Sequence, residues 1–374
     1  MKKRRNELRV AIVYDRVNKW GGAERVLLTL HEMFPEAPLY TSVYSPEGAQ
    51  WAKVFKVRPS FINRIYFLRS RHEWLALLMP LIFESFDFLD YDLVISVTSE
   101  AAKGIITTPE TKHVCIILTP TRYLWSHYEE YFDSFVKRII SWPTVAYLRW
   151  WDRVASQRPD VMVAISTEVQ ERIKKYYGRE SIVIFPPYDL SLKNSLLRVS
   201  GVHRKTGRSF FEELDREYYL VVSRLVKYKK IDLVIKAFNK MNKKLIIVGK
   251  GKEETKLRIM AEENIKFVRD LNDVELAWYY KNAKALIVSQ KEDFGLVMVE
   301  AMNQGTPVIA NKEGGSLDIV VEGVNGIHFD KCLPESIMEI TDRFETMTFD
   351  STRIKRSVGK FSATRFRREF LELI

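Results

Sequence analysis

At 374 residues the chain exceeds one ordinary core and fits two domains. Its 46% apolar and 29% charged residues exclude a disordered or fibrous chain, and two isolated cysteines, Cys115 and Cys332, exclude a disulfide scaffold and point to a reducing, cytoplasmic setting. The formal charge of +11 favours an acidic partner, a phosphorylated substrate or an anionic lipid surface, whereas no motif accompanies it that would make the protein a nucleic-acid binder.

The basic start, Met1 to Arg5, precedes an apolar run from Val10 to Tyr14 that is too short for a signal-peptide core and reads as a first strand. No stretch is long enough to span a bilayer; the apolar run from Trp74 to Phe83 is interrupted by Pro80. After the first strand a loop leads to Gly21-Gly22-Ala23-Glu24, which opens a helix through Leu30. Two adjacent glycines let backbone approach a ligand, and the helix start behind them suits an anion, though a plain turn accounts for the pair equally simply.

Short apolar runs at 39–43, 93–97, 114–118, 161–166 and 182–185, spaced by helix-length segments, predict a parallel sheet with crossovers. Between the first two of these, residues 61–88 interleave Arg64, Arg69 and Arg71 with aromatic and aliphatic side chains, which suits either a helical pair capping the sheet or a helix lying on an anionic membrane. Trp142 to Trp151 reads as a second basic, aromatic helix. The loop after the run ending at Leu118 carries Arg122, Tyr123 and Trp125 at a strand C-terminus, where open α/β sheets bind ligands. His113 and His127 lack a nearby metal-binding partner and read as ordinary histidines.

Pro186-Pro187 and the polar, basic segment 191–216 read as hinge and linker. The pattern then restarts with runs at 218–222, 245–248, 265–268, 285–289 and 307–310. Expected domains are therefore 1–190, linker 191–216, 217–355, and a C-terminal helix, 356–374, packing back on the first domain. Gly249-Lys250-Gly251 is weighed as a turn. Arg224 and Lys229, just past the first strand of the second half, could neutralise a diphosphate, or belong to a solvated basic turn. In the stretch from Lys291 to Met302, Glu292 precedes a helix beginning at Leu296, where free amides favour an anion. Glu300, further along, could accept hydrogen bonds from a hydroxyl pair such as a ribose offers.

Taken in order, Gly21-Gly22-Ala23-Glu24, Ser223-Arg224-Leu225-Val226 with Lys229, Glu292 and Glu300 separated by seven residues, and Gly314-Gly315 resemble the family-four retaining glycosyltransferases of GT-B architecture. The similarity runs nearly end to end, through Pro186-Pro187 and the terminal Phe361-Ser362 with Arg365-Phe366. The resemblance implies an α/β fold of two Rossmann-like, doubly wound domains facing a central cleft. A nucleotide-sugar would be held mainly by the second and an acceptor by the first.

By that resemblance Arg224 and Lys229 bind the diphosphate and Glu292 a hydroxyl of the transferred sugar, these three being the catalytic set. Glu300 binds the ribose, amides of Phe294, Gly295 and Leu296 meet the phosphates, and Gly21 and Gly22 approach from the other domain. Arg122, Tyr123 and Trp125 are acceptor-side candidates. Neither metal nor cofactor is expected. The segment Thr119 to Trp125 most resembles members that act on lipid-linked glycans in bacterial or archaeal surface polysaccharide assembly, which leans the reading to mannose from its guanosine nucleotide, a UDP-sugar being the other option. The expected protein is then a metal-independent, retaining hexosyltransferase, peripheral on the inner face of the plasma membrane.

One departure stands out: Leu118 occupies a position where many relatives carry a donor-contacting histidine, and leucine can neither donate nor accept there. Either transfer proceeds without that contact, or His113 or His127 compensates, or the protein is a catalytically silent sugar-nucleotide-binding subunit of a glycan assembly complex. Asp318 and Ile165 likewise stand where Glu and Asn are usual.

Overall fold

The structure, a computed structural model, describes residues 8–65, 72–188 and 217–374. The linker 191–216, the N-terminal basic run and Arg69 with Arg71 lie outside the described residues. The chain divides into two compact units, one holding residues 8–188 with Ala363–Ile374, the other residues 217–362.

The first unit is built on a seven-stranded, all-parallel sheet in the order β3-β2-β1-β4-β5-β6-β7. Its strands are β1 (Val10–Tyr14), β2 (Leu39–Thr41), β3 (Val57–Pro59), β4 (Leu93–Thr98), β5 (Lys112–Ile117), β6 (Val161–Ala164) and β7 (Ile182–Val183). The central runs are aliphatic without alternation because crossovers cover both faces, and β4 is buried at every residue. Helix α1 (Ala23–Met33) follows β1, and the 21-residue α2 (Phe135–Ala155) follows β5. Helix α2 begins earlier than the run from Trp142, because Ser134 caps it by accepting from the Lys137 amide at 3.3 Å. Pro143 lies inside it, on an exposed face.

The C-terminal helix Ala363–Leu371 is part of this first unit. It buries Phe366 and Phe370, pairs Arg367 with Glu32 of α1, and donates from Arg365 to the Phe185 carbonyl at 2.6 Å.

The second unit repeats the architecture with six parallel strands, β10-β9-β8-β11-β12-β13. These are β8 (Tyr218–Val222), β9 (Leu245–Val248), β10 (Ile265–Val268), β11 (Ala283–Val288), β12 (Val308–Asn311) and β13 (Gly326–Phe329). Tyr219, Phe238 and Phe344 centre a core in which α3 (Ile231–Met241) packs beside the helix Pro334–Glu345. Helix α4 (Leu296–Gln304) follows β11 and ends at Gly305, whose φ of 87° supplies the left-handed cap.

Two strands are absent from the sequence reading, β3 and β13. Both are sheet edges, short, and carry residues that weaken a strand pattern, Pro59 in one and Gly326 in the other. The segment 61–88 also departs from expectation. Among its described residues it forms 3-10 turns and a six-residue helix, Met79–Glu84, with Pro80 at the start. The long basic, aromatic helix of the unit is α2.

In each sheet the strand order reverses once, between β1 and β4 in the first unit and between β8 and β11 in the second. At such a switch point the following loops diverge and leave a crevice at the strand C-termini.

Candidate functional site

At the second unit's switch point, the chain leaving β8 and the chain leaving β11 meet through charge. Lys229 Nζ lies 2.6 Å from Glu292 Oε1, with both side chains largely buried at 11% and 17% exposure. Gln290 Nε2 donates to the same oxygen. Ser289 Oγ donates to the Lys229 carbonyl at 2.9 Å, so backbone and side chain of the lysine are both anchored to the β11 loop. Arg224 is exposed, and its Nη2 donates to the Tyr228 hydroxyl at 2.6 Å. Arg224 and Lys229, just past β8, and Glu292, 63 residues beyond Lys229 and just past β11, thus belong to one end of one sheet.

Helix α4 begins beside them. Its N-cap, Gly295, has φ 98°, a left-handed conformation, and makes no side-chain cap bond. The amides of the first turn, including Leu296, are therefore not satisfied by a capping side chain. Phe294 is buried edge-on against Phe361, with ring centroids 5.4 Å apart, which pins the loop just ahead of the helix. Glu300, in the second turn of α4, is half-buried and accepts from the Tyr280 hydroxyl at 2.8 Å.

Two glycine pairs hold this arrangement. The β12 loop bridges to the β11 loop at Glu292 and Gly314, and the Gly315 amide donates to the Glu292 carbonyl at 2.9 Å. A Cβ at Gly314 or Gly315 would overlap the carbonyl oxygen of Glu292 or Phe294 respectively. Gly249 and Gly251, read as a turn from sequence, have the same use: a Cβ on either would overlap the Ser223 or Leu225 carbonyl. They let the β9 loop lie directly against the chain that carries Arg224.

The first unit's switch point is occupied by the protein itself. Asp15, next after β1 and 2% exposed, accepts from the Thr98 hydroxyl at 2.8 Å and from the amides of Ser99, Ala101 and Ala102 at 2.7, 2.9 and 2.9 Å. An anion-binding nest is present, and it is filled by a carboxylate from the neighbouring strand. Nearby, Gly22 caps α1, and Glu24 is buried against the Gly21 turn, its Oε1 3.3 Å from the Tyr14 hydroxyl. Burial raises the Glu24 carboxyl above its ordinary range, opposed by hydrogen bonds from its own amide, from Gly21 and from Tyr14.

The loop with Arg122, Tyr123 and Trp125 is held by buried acids. Trp125 Nε1 donates to Asp152 of α2 at 2.7 Å, and the Thr121 hydroxyl donates to the other oxygen of Asp152 at 3.1 Å. That oxygen also pairs with Lys103 at 2.6 Å, both side chains being 1% exposed. Tyr123 donates to Glu100 at 3.2 Å, and Glu100 pairs with Arg16 at 3.1 Å. Burial pushes the Glu100 carboxyl up. The Trp125 ring stacks on Tyr176 at 5.1 Å, under the guanidinium of Arg153. Sequence reading missed Asp15, Lys103 and Asp152; only Asp15, directly following a strand, carried a local signal.

Leu118 follows β5 and is half-buried. His113 cannot stand in for a histidine there, because it lies at the opposite end of β5, fully buried, with Nε2 bonded to Ser96 Oγ at 2.8 Å. Burial lowers its imidazole to about 3, so it is a neutral core group. His127 Nδ1 bonds to the adjacent Ser126 hydroxyl at 2.7 Å. Among the described residues, no group of three or more His, Cys, Asp or Glu is placed to hold a metal ion, and no helix is long and apolar enough to cross a membrane.

Comparison with known proteins matches each unit to a separate family model: "Glycosyltransferase Family 4" over residues 20–192 and "Glycosyl transferases group 1" over residues 204–357. An uncharacterized glycosyltransferase of Methanocaldococcus jannaschii is 26% identical over 196 residues, 51% of this chain and 51% of that protein. The alpha-1,3/1,6-mannosyltransferase of Saccharomyces cerevisiae is 29% identical over 194 residues, 41% of this chain and 38% of that one. The chain spans about half the length of several curated relatives it matches. Among solved structures, an Anabaena protein in complex with UDP-glucose superposes with a TM-score of 0.66 at 18% identity, covering 97% of this chain and 98% of that one.

Proposed function

We propose, from the match of residues 20–192 to Glycosyltransferase Family 4 and of residues 204–357 to Glycosyl transferases group 1, that the chain is a retaining glycosyltransferase. It moves a hexose from a nucleoside-diphosphate sugar to a lipid-linked glycan. The observation that carries the donor assignment is the Lys229–Glu292 pair at the second unit's switch point, beside the uncapped start of α4. At the matching switch point of the first unit the amides of Ser99, Ala101 and Ala102 are already taken by Asp15, which favours the second unit as the anion-binding one.

In this reading the diphosphate docks on the first amides of α4 and on the Arg224 guanidinium and Lys229 ammonium. Glu292 Oε1 already accepts from Lys229 and Gln290, so the pair is fixed before the donor arrives, and Glu292 Oε2 accepts a hydroxyl of the transferred sugar. Glu300 accepts from the ribose hydroxyls while Tyr280 fixes its orientation. As the bond from the anomeric carbon to the diphosphate oxygen breaks, negative charge grows on the leaving group where the cations and amides are already placed. The acceptor oxygen forms its bond to that carbon on the same face, and its proton passes to the departing diphosphate. Mannose from GDP-mannose is the donor we favour, with UDP-sugars as competitors.

Leu118 favours a second reading, in which the chain binds the sugar nucleotide without turning it over. A panel of UDP- and GDP-sugars, assayed for binding, hydrolysis and transfer with anomeric configuration read by NMR, separates the two. Turnover with retained configuration supports the transferase. Binding without turnover across donors and lipid acceptors supports the silent subunit, and absence of binding to every donor sinks both. Leu118→His raises turnover if loss of that contact limits the reaction.

A further inference from the structure

We infer that the outward face of α2 is a lipid-docking surface that seats the first unit on an anionic bilayer; this rests on the lipid-linked acceptor reading and names the element that meets the lipid. The helix is apolar on two sides. Val145, Leu148 and Trp151 face the core and are buried. On the outer side Val136, Ile140, Pro143, Tyr147, Trp150 and Val154 recur at steps of three and four residues, which places them in one row, and all are exposed. Phe135, Ile139 and Trp142 form the adjoining row. Phe135 is 77%, Ile140 74%, Trp142 67% and Trp150 62% exposed. A soluble surface rarely leaves so continuous an apolar face uncovered.

On its inner side α2 is backed by neighbouring chain: Ala76 packs on the cluster of Leu124, Val145 and Leu148, and Glu84 accepts from Trp151 Nε1 at 2.8 Å. Leu77, Leu78 and Leu81 of that neighbouring segment are exposed.

Charge selects the occupant. Helix α2 carries Lys137, Arg138, Arg149 and Arg153, and its single acid, Asp152, is buried on Lys103; the exposed acids Glu129, Glu130 and Asp133 precede it, Asp133 pairing with Lys137 at 2.7 Å, so the excess of cations lies towards Arg149 and Arg153. An apolar face bordered by cations, with indole and phenol rings among its aliphatics, matches the interfacial zone of an anionic bilayer. A two-fold pairing of this face with a second copy would set the same cations against one another.

The inner side of α2 connects docking to the rest of the unit. Asp152 ties the helix to Thr121 and Trp125, so the bilayer that receives α2 also fixes the height of the loop from Arg122 to Trp125 above the lipid.

The test is co-sedimentation of the full chain with phosphatidylcholine vesicles, with and without phosphatidylglycerol, at low and high salt. Binding is expected with the anionic vesicles and should weaken as salt screens the cations. Ile140→Ser/Trp142→Ser lowers the partition coefficient at least about tenfold, because two exposed apolar side chains lose their burial in lipid. Lys137→Glu/Arg153→Glu gives a similar loss confined to low salt. An unchanged cooperative unfolding transition of the first unit in each variant checks that this unit is folded. Docking is overturned if the chain ignores both vesicles, if the Ser variant binds as well as the parent, or if the chain is a dimer that the Ser variant splits. Vesicle binding without turnover of any donor would leave docking standing and remove the transferase reading; turnover without vesicle binding would do the reverse.

Discussion

Lys229 and Glu292 illustrate what a single contact decides. Each alone is an ordinary surface-type residue, yet their 2.6 Å contact is largely shielded from water, so either is left desolvated when the other is removed. Lys229→Ala is expected to cost about 1–3 kcal/mol of second-unit stability and to raise the nucleotide Kd tenfold or more, measured by denaturant unfolding and calorimetry. Glu300→Ala should weaken nucleotide binding by roughly 1.5–3 kcal/mol, or about tenfold or more in affinity; unchanged affinity would exclude the ribose assignment. His113 makes a pH prediction. Its folded pKa of about 3 lies below the ordinary 6.5, so the unfolded chain binds the proton more readily and stability falls as pH drops from 6.5 towards 3. In His113→Asn this residue's share of the acid destabilisation should disappear, seen as a flatter dependence of unfolding free energy on pH over that window. The sequence marked Arg224, Lys229, Glu292 and Glu300 as candidates by type and position. It could not reveal that Lys229 and Glu292 would pair, because that contact spans 63 residues and depends on two strands lying side by side.

At the scale of elements, loops are positioned by backbone approaching backbone. Gly314→Ala combines a φ of 67° with an overlap at the Glu292 carbonyl, so the β12 loop must move away from the β11 loop. Loss of nucleotide binding with preserved far-UV dichroism is the expected result. Helix α2 is fixed by the buried Lys103–Asp152 pair, and Lys103→Met should destabilise the first unit by about 3–5 kcal/mol by stranding the Asp152 carboxylate. Replacing both with apolar residues should recover part of that loss, measured by a double-mutant cycle in urea. The central strands were legible because their runs are short, aliphatic and bounded by turns. Edge strands β3 and β13 were not, since at an edge one face of the hydrogen-bond ladder is free and Pro59 or Gly326 is tolerated. The full length of α2 escaped for another reason: its outer face is as apolar as its inner one, so no single polar-to-apolar boundary marks its turns.

For the whole molecule, two compact units with separate cores imply separable stabilities. Deleting residues 363–374 removes Phe366 and Phe370 from the first unit's core, at roughly 3–5 kcal/mol for each such ring. It should lower the first unit's transition and leave nucleotide binding by the second unit intact, read by calorimetric scans with and without nucleoside diphosphate. The sequence by itself determined the α/β class, the two-fold repetition of the sheet pattern and the residue types at the candidate donor site. Those follow from local properties: apolar runs of strand length, glycines before helix starts, and charges just beyond strand ends. Tertiary structure alone decided which of those charges are already partnered. It gave the first unit's switch point to Asp15 and the second unit's to the Lys229–Glu292 pair, and it turned one side of α2 outward. Each outcome depends on strand order and on the partners that a fold brings across tens of residues, a long-range property that no window of sequence contains.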